Sequence, residues 1–197
     1  VSWILLVKLV ERSILALLLA LSIWSVAIMI DRYRVLKAKR READLSSVQH
    51  LIRERKWDTL KSWANANSTP LAQMFTAVFG MLEDKHGAPQ QIDRLVKSFL
   101  SEQRNEMEKG FNILATLGSN APFIGLFGTV LGIVQAFAIL GQQGGGAADV
   151  MSSISLALIA TAAGLFVAIP AVIAYNLFSQ KVRQILSDCE AMRDYYL

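Results

Sequence analysis

Two threonines lie in long uncharged stretches of this chain. Residues 111–148 and 150–180 contain no Asp, Glu, Lys or Arg, and Thr129 lies in the first stretch and Thr161 in the second. A hydroxyl group both donates and accepts hydrogen bonds, so two threonines in a dry environment could form part of a path for water or protons. The alternative is that each hydroxyl bonds the backbone of its own helix and serves only close helix packing.

Asp149 is the acid that separates the two stretches. An aspartate just before an apolar helical run favours the N-cap position, where it accepts backbone hydrogen bonds and where the helix dipole favours its charge. The second interpretation is an acid at the outer mouth of a polar path, where it would attract cations. The residues themselves leave both interpretations open.

Small residues recur around both threonines at helical spacing. In the first stretch glycines return every seven residues, and in the second Ala and Gly alternate with Thr161 at intervals of four and three. Such spacing places residues on one stripe of a helix, and small residues in membrane helices let two backbones approach closely. We therefore predict close helix packing at Gly118, Gly125, Gly128, Gly132, Ala157, Gly164 and Ala168.

The elements that carry these residues are predicted to be membrane helices. Each uncharged stretch exceeds the roughly 20 residues that cross a bilayer, and a third apolar run covers residues 13–30. A cleaved signal peptide is the alternative for that run, but the run is longer than a typical signal core and lacks a small-residue cleavage site before Asp31. The chain of 197 residues is 53% hydrophobic. We predict an all-α membrane protein with three transmembrane helices.

Charges beside the apolar runs predict the orientation. Cytoplasmic flanks of membrane proteins carry the excess of Lys and Arg. Basic residues follow the first run, precede the second and follow the third, whereas the loop at 141–149 has none. The N-terminus is therefore expected outside and the C-terminus in the cytoplasm. We assign the net charge of +4 to this topology and predict no nucleic-acid partner. The basic residues are Arg32, Arg34, Lys37, Lys39, Arg40, Arg41, Arg104, Lys109, Lys181 and Arg183.

The predicted organisation has six parts. They are an outer leading segment with the first transmembrane helix (1–30), a cytoplasmic helical region (31–110), the second transmembrane helix (111–141), an outer loop (142–150), the third transmembrane helix (151–180) and a cytoplasmic tail (181–197). Residues 1–10 are expected to form an interfacial or leading helix. Thr69 is expected to stand before a helix that starts at Pro70. A helix from Gln90 is expected to run without a break into the second span.

Patterns for metal binding and hydrolysis are missing from the sequence. His50 and His86 lie far apart, Cys189 is the single cysteine, and no Ser/His/Asp or Cys/His set is apparent. We therefore predict no metal site, no cofactor and no enzymatic activity.

Two segments carry a family resemblance. Residues 117–137 (LGSNAPFIGLFGTVLGIVQAF) and 157–176 (ALIATAAGLFVAIPAVIAYN) resemble the signature of the MotA/TolQ/ExbB proton channel family. The TolQ/ExbB branch resembles this chain most, because its members have three spans in this order and orientation. Outside the last two spans the resemblance rests on layout, although Ser68-Thr69-Pro70-Leu71 also matches a similar segment of that branch.

The resemblance implies a stator-like motor unit in the bacterial inner membrane, with the outer loop in the periplasm. Members form a ring, a pentamer in this branch, around a dimer of single-span subunits that resemble ExbD or TolR and carry a membrane aspartate. Proton flow through that aspartate, driven by the proton-motive force, powers the motor. The resemblance implies that Thr129 and Thr161 stand at the positions of the polar pore residues of the family. The load could be of the Tol, Ton or gliding-motility type.

One position departs from the family pattern. TolQ and ExbB usually carry a glutamate five residues before the threonine that matches Thr161, and here that position is Leu156. A membrane carboxylate is costly and is normally kept for function. Its replacement suggests that the partner aspartate alone carries the proton, with Asp149 as a candidate entry acid. The alternative is a non-conducting scaffold ring for a membrane partner.

Overall fold

The computed structural model describes residues 2–40, 45–83, 88–141 and 146–196, and helices dominate all four segments. The predicted all-α fold is confirmed, since these segments contain no strand. The helices are α1 (Ser2–Arg40), α2 (Leu45–Arg53), α3 (Trp57–Ala66), α4 (Pro70–Glu83), α5 (Pro89–Met107), α6 (Phe111–Leu140) and α7 (Ala147–Tyr196).

Three of these helices are long and apolar enough to cross a membrane. The candidate spans are Leu6–Lys39, Phe111–Leu140 and Ala147–Arg193. The prediction of three membrane helices is confirmed, and the chain is a multi-pass membrane protein. The limits of the six predicted parts stay predictions. Residues 142–145 of the predicted outer loop lie outside the described residues, whereas 147–150 form the first turn of α7.

The helices group into two compact units. Unit 1 comprises Val1–Ile30 and Gly110–Asn176, and unit 2 comprises Asp31–Lys109 and Leu177–Leu197. Unit 1 therefore holds the N-terminal part of α1, all of α6 and most of the uncharged part of α7. Unit 2 holds the four shorter helices with the remaining parts of α1 and α7.

Unit 1 has a small apolar core and a large exposed apolar surface. Its core cluster consists of Ile14, Leu18, Ala121, Val167 and Ala168. Most of the other large side chains point outward, and Phe166, for example, is 73% exposed. Such a surface is suited to lipid or to neighbouring membrane chains rather than to water.

Unit 2 has a conventional core between its helices. The helix α4 buries one side almost completely, and α5 and the last part of α7 bury one residue in each turn. The buried residues include Leu36, Val48, Leu60, Leu71, Met74, Phe75, Val78, Ile92, Val96, Leu100, Val182, Leu186, Cys189 and Met192. The predicted start of α4 is confirmed: the helix begins at Pro70, and the backbone N–H of Ala72 donates to Thr69 Oγ1 at 3.3 Å.

The prediction of one unbroken helix into the second span is wrong. The helix α5 ends at Met107, and α6 begins at Phe111 after Gly110, which has a φ of 80°. Residues with a side chain rarely adopt this left-handed conformation, so glycine permits the break. A Cβ atom on Gly110 would also lie only 3.1 Å from Ile28 Cγ2.

The expected leading helix is also corrected. The helix α1 runs without interruption from Ser2 to Arg40, so residues 2–10 belong to the same helix as the first span. Lys8, Glu11 and Arg12 lie inside this helix. A helix interior tolerates them because straight-chain charged residues have good helix propensity.

Candidate functional site

The closest approach of α6 and α7 is built from glycines that face backbone atoms. A Cβ atom on Gly125 would lie 2.7 Å from the carbonyl oxygen of Ala160 and 3.0 Å from Thr161 Cα. A Cβ atom on Gly164 would lie 2.6 Å from the carbonyl oxygen of Ala121. Only hydrogen fits at these two positions, so the two helix backbones touch directly beside Thr161.

Further along the same contact, α1 packs against α6 where α6 meets α7. Cβ atoms on Gly128 and Gly132 would lie 2.7 and 2.4 Å from the Cβ atoms of Ala160 and Ala157. On α1, the same Cβ atoms would lie 3.6 Å from Ile14 Cγ2 for Gly128 and 3.3 Å from Glu11 Oε1 for Gly132. We call this three-helix contact, from Gly118 to Gln135 on α6, the seam.

The remaining small residues occupy the other end of the seam. A Cβ atom on Gly118 would lie 2.4 Å from Val172 Cγ2. Ala168 is buried in the core cluster of unit 1. All seven small residues that the sequence singled out therefore lie where helices meet in unit 1.

The two threonines differ in how their hydroxyl groups are bonded. Thr129 is 9% exposed, and its Oγ1 donates to the carbonyl oxygen of Leu126 at 2.7 Å. Thr161 Oγ1 is shielded from solvent and has no hydrogen-bond partner within the described chain. Thr129 thus bonds its own helix, as the packing alternative requires, whereas Thr161 does not. Thr161 lies beside Gly125, and Thr129 follows Gly125 by four residues, about one turn of α6. The two threonines therefore lie about one helical turn apart along the seam.

Asp149 lies in the first turn of α7 and is exposed. Because α7 begins at Ala147, Asp149 is inside the helix and not at its N-cap, although the helix dipole still favours a negative charge there. The carbonyl oxygen of Asp149 accepts a hydrogen bond from Ser153 Oγ at 3.0 Å, and Gln135 Nε2 donates to Ser153 Oγ at 3.5 Å. A short polar chain therefore leads from the start of α7 into the seam.

Leu156, the position of the expected family glutamate, points away from the seam. Its side chain is 36% exposed, whereas its neighbour Ala157 is buried against Gly132. The α7 helix therefore supplies no carboxylate to the seam at this level.

Sequence reasoning missed one buried acid, Glu11 on α1. Glu11 is 1% exposed, and its Oε1 has no hydrogen-bond partner in the described chain. Gln135 on α6 is also buried, with an unpartnered Oε1. The available signal was spacing: Glu11 lies seven residues before the buried Leu18, on the stripe that also carries Val7 and Ile14.

The described residues hold no group of three or more His, Cys, Asp or Glu side chains that could bind a metal ion. His86 lies outside the described residues.

Comparisons with known proteins agree with this architecture. A family model described as the MotA/TolQ/ExbB proton channel family matches residues 66–191. The Tol-Pal system protein TolQ of Pseudomonas aeruginosa is 33% identical over 196 residues, which cover 91% of this chain and 82% of that protein.

Two proteins named biopolymer transport protein ExbB match about half of the chain more strongly. The one from Aquifex aeolicus is 48% identical over 100 residues, which cover 49% of this chain and 68% of the relative. The one from Neisseria gonorrhoeae is 45% identical over 98 residues, which cover 49% of this chain and 44% of the relative. The match to the family model spans more than half of the chain, so this chain belongs to the MotA/TolQ/ExbB proton channel family.

Proposed function

We propose that this chain is the ring-forming proton-channel subunit of a motor in the bacterial inner membrane. Several copies, five by the resemblance to the TolQ/ExbB branch, surround a dimer of ExbD/TolR-like single-span subunits. A membrane aspartate of that partner carries the proton. The proton-motive force supplies about 2.3 kcal/mol for each charge that crosses 100 mV, and the ring converts this into movement of the partner.

The observation that carries this proposal is the unpartnered hydroxyl of Thr161. A buried hydroxyl without a hydrogen bond costs about 1–3 kcal/mol, so such a group is expected to have a partner in the working assembly. Thr161 lies beside the close backbone contact of α6 with α7, where Gly125 and Gly164 leave no room for side chains of their own. A water molecule or a partner carboxyl group fits the chemistry of this donor and acceptor.

The exposed apolar surface of unit 1 supports a ring. Phe123 and Phe137 on α6 and Phe166 on α7 are each more than 65% exposed in the single chain. A membrane helix bundle with so few buried side chains gains much of its packing from neighbours. Copies of this chain, the partner spans and the bilayer share that surface in the proposed assembly.

The charge distribution supports the proposed orientation. Basic residues follow the first span and flank the other two on the side assigned to the cytoplasm. Asp149, at the start of α7, then faces the periplasm and is proposed as an acid at the outer mouth. The load of the motor, of the Tol, Ton or gliding type, is distinguished by the envelope function that deletion of the gene removes.

The test is a comparison of Thr161→Val with Thr161→Ser in the complex extracted from its native membrane with its partner. Valine keeps the shape of threonine but removes the hydroxyl, whereas serine keeps the hydroxyl. In vesicles with an internal pH-sensitive dye, we expect Thr161→Val to lower proton flux by about tenfold or more, equal to ~1.4 kcal/mol in the barrier. Thr161→Ser should keep most of the flux.

The matched control is Thr116→Val on α6. Thr116 is exposed, and its hydroxyl donates to the carbonyl oxygen of Asn112 at 2.7 Å, so the same chemical change occurs outside the seam. This variant should conduct normally. Normal flux in Thr161→Val would contradict the proposal and favour the scaffold ring, in which an apolar isostere is tolerated.

A further inference from the structure

We propose that Glu11 is a proton-exchanging carboxyl group that this chain itself supplies, on the route from the outer side to the seam threonines. The inference rests on the proposed function, because it adds a step to the same proton path. It assigns to α1 a chemical role beyond packing.

The first support is the burial of Glu11. The residue is 1% exposed, and Oε1 is without a hydrogen-bond partner in the described chain. An ionised carboxylate in such a position is costly unless a proton or a nearby cation compensates its charge. A glutamate that served only to pack α1 would be replaced at lower cost by Leu or Gln.

The second support is that neighbouring residues make room for the carboxyl group. A Cβ atom on Gly132 would lie 3.3 Å from Glu11 Oε1. That Cβ atom would also lie 2.4 Å from Ala157 Cβ. The missing side chain at Gly132 thus lets Ala157 pack closely and leaves room for the carboxyl group of Glu11 beside α6.

The third support is the position of Glu11 between other polar groups. One turn beyond Gly132, toward the start of α7, lie Gln135 and Ser153, and Ser153 bonds the carbonyl oxygen of Asp149. In the other direction along the seam, Thr129 precedes Gly132 by three residues, and Thr161 follows Ala157 by four. Successive turns of a helix are about 5.4 Å apart, a distance that one water molecule spans between two polar groups.

The charged groups around Glu11 are few. Lys8 precedes it by three residues, about one turn of α1, and Arg12 is the next residue. From the packed elements, α6 carries no charged residue, and α7 carries only Asp149 before Lys181. The amide oxygen of Gln135 is the one further unpartnered oxygen in this part of the described seam. Glu11 is the one buried carboxyl group among these residues, and a single carboxyl group suits the exchange of one proton, so we assign the proton as the ligand.

The test uses dicyclohexylcarbodiimide, an apolar reagent that reacts with protonated carboxyl groups inside membranes. The carboxyl O–H adds across one C=N bond of the reagent, and the O-acylisourea rearranges to a stable N-acylurea with no atom lost. After labelling of the intact complex in native membranes, peptide mass spectrometry should find the adduct on Glu11 and not on the exposed Asp31. Labelling should fall as the pH is raised.

A second measurement connects the label to conduction. Glu11→Gln keeps the size of the side chain but cannot exchange a proton, so proton flux in vesicles should drop to the level of vesicles without protein. Glu102→Gln, an exposed change on α5, is the control and should conduct normally. Loss of both the label and the flux in Glu11→Gln supports the inference.

Three results would overturn the inference. The first is no adduct on Glu11 at any pH, and the second is normal proton flux in Glu11→Gln. The third is protection of Glu11 from labelling by Na⁺ but not by choline, because that result indicates a cation site. If Thr161→Val blocks flux while Glu11→Gln conducts normally, this inference fails and the proposed function stands. If the unsubstituted complex carries no flux, the proposed function fails and this inference fails with it.

Discussion

Thr129 and Thr161 look equivalent in the sequence, and the structure separates them. Both stand in stripes of small residues within uncharged segments, so their residue types and spacing predict one shared role. The hydroxyl of Thr129 is bonded to Leu126 on its own helix, whereas that of Thr161 is buried without a partner. We therefore expect Thr161 to be the more sensitive of the two positions when the hydroxyl is removed.

Gly125 gives a prediction about packing at the residue scale. In Gly125→Ala the new methyl group would meet the backbone of α7 at Ala160 and Thr161, which cannot rotate away. Overpacking of this kind costs about 1–3 kcal/mol. We expect a lower melting temperature for the protein in lipid nanodiscs, measured by intrinsic fluorescence.

The control for Gly125→Ala is Gly80→Ala on α4. A Cβ atom on Gly80 would have nothing within 4 Å. Alanine is the better helix former by about 1 kcal/mol, so this variant should melt at the same or a higher temperature. Equal melting temperatures for Gly125→Ala and the unsubstituted protein would contradict the close approach of α6 and α7.

The residue types of the seam could be read from the sequence, but the partners of each residue could not. Glycine and alanine at intervals of three, four and seven lie on one stripe of any helix, whatever that stripe faces. Glu11 was missed because a charge near the end of an apolar run is usually a boundary. Only the packing of α1 against Gly132 reveals that its carboxyl group is buried.

At the scale of elements, composition predicts the membrane helices better than it predicts their ends. Apolar length defines α6 and α7 as candidate spans, since about 20 residues are sufficient to cross the bilayer. The end of α5 was not predicted, because one glycine after a lysine is a weak signal in a helical pattern. Gly110 has a left-handed φ of 80°, and a Cβ atom there would lie 3.1 Å from Ile28 Cγ2, so the break requires glycine for two reasons.

The contact between α1 and α5 in unit 2 gives a prediction about pH. Lys39 Nζ donates to Glu106 Oε2 and to Gln103 Oε1, both at 2.8 Å. The hydrogen bond from Lys39, followed by its charge, lowers the pKa of Glu106. A lowered carboxyl pKa stabilises the fold above the unfolded value of about 4.3, and this stability is lost as the pH falls through the folded value.

We therefore expect Glu106→Gln to be less stable than the unsubstituted protein at about pH 7 and equal to it at about pH 3. The side chain of Glu106 is 51% exposed, so the difference should be no more than about 1 kcal/mol and should shrink in high salt. Thermal melting at the two pH values measures it. A difference that persists at low pH would show that the carboxylate charge is not its cause.

At the scale of the whole molecule, the two units differ in their content of charged residues. Unit 1 contains most of the uncharged segments, the seam and most of the exposed apolar surface. Unit 2 contains the shorter helices, the Lys39–Glu106 pair and a compact apolar core. The sequence predicted the three membrane helices and the helical region because apolar length and basic flanks carry that information.

The stoichiometry of the assembly depends on contacts between several chains, and residue types and spacing in one chain do not predict those contacts. The exposed aromatic residues of α6 and α7 indicate that unit 1 has neighbours, and lipid and protein cover such surfaces equally well. The ring and its partner therefore need a direct measurement.

Native mass spectrometry of the complex, extracted gently from its own membrane, tests the central claim most directly. We predict a particle that contains five copies of the 21.7 kDa chain and two copies of a smaller protein with one apolar span and an aspartate within it. A monomer, or a stable ring without such a subunit, would contradict the motor.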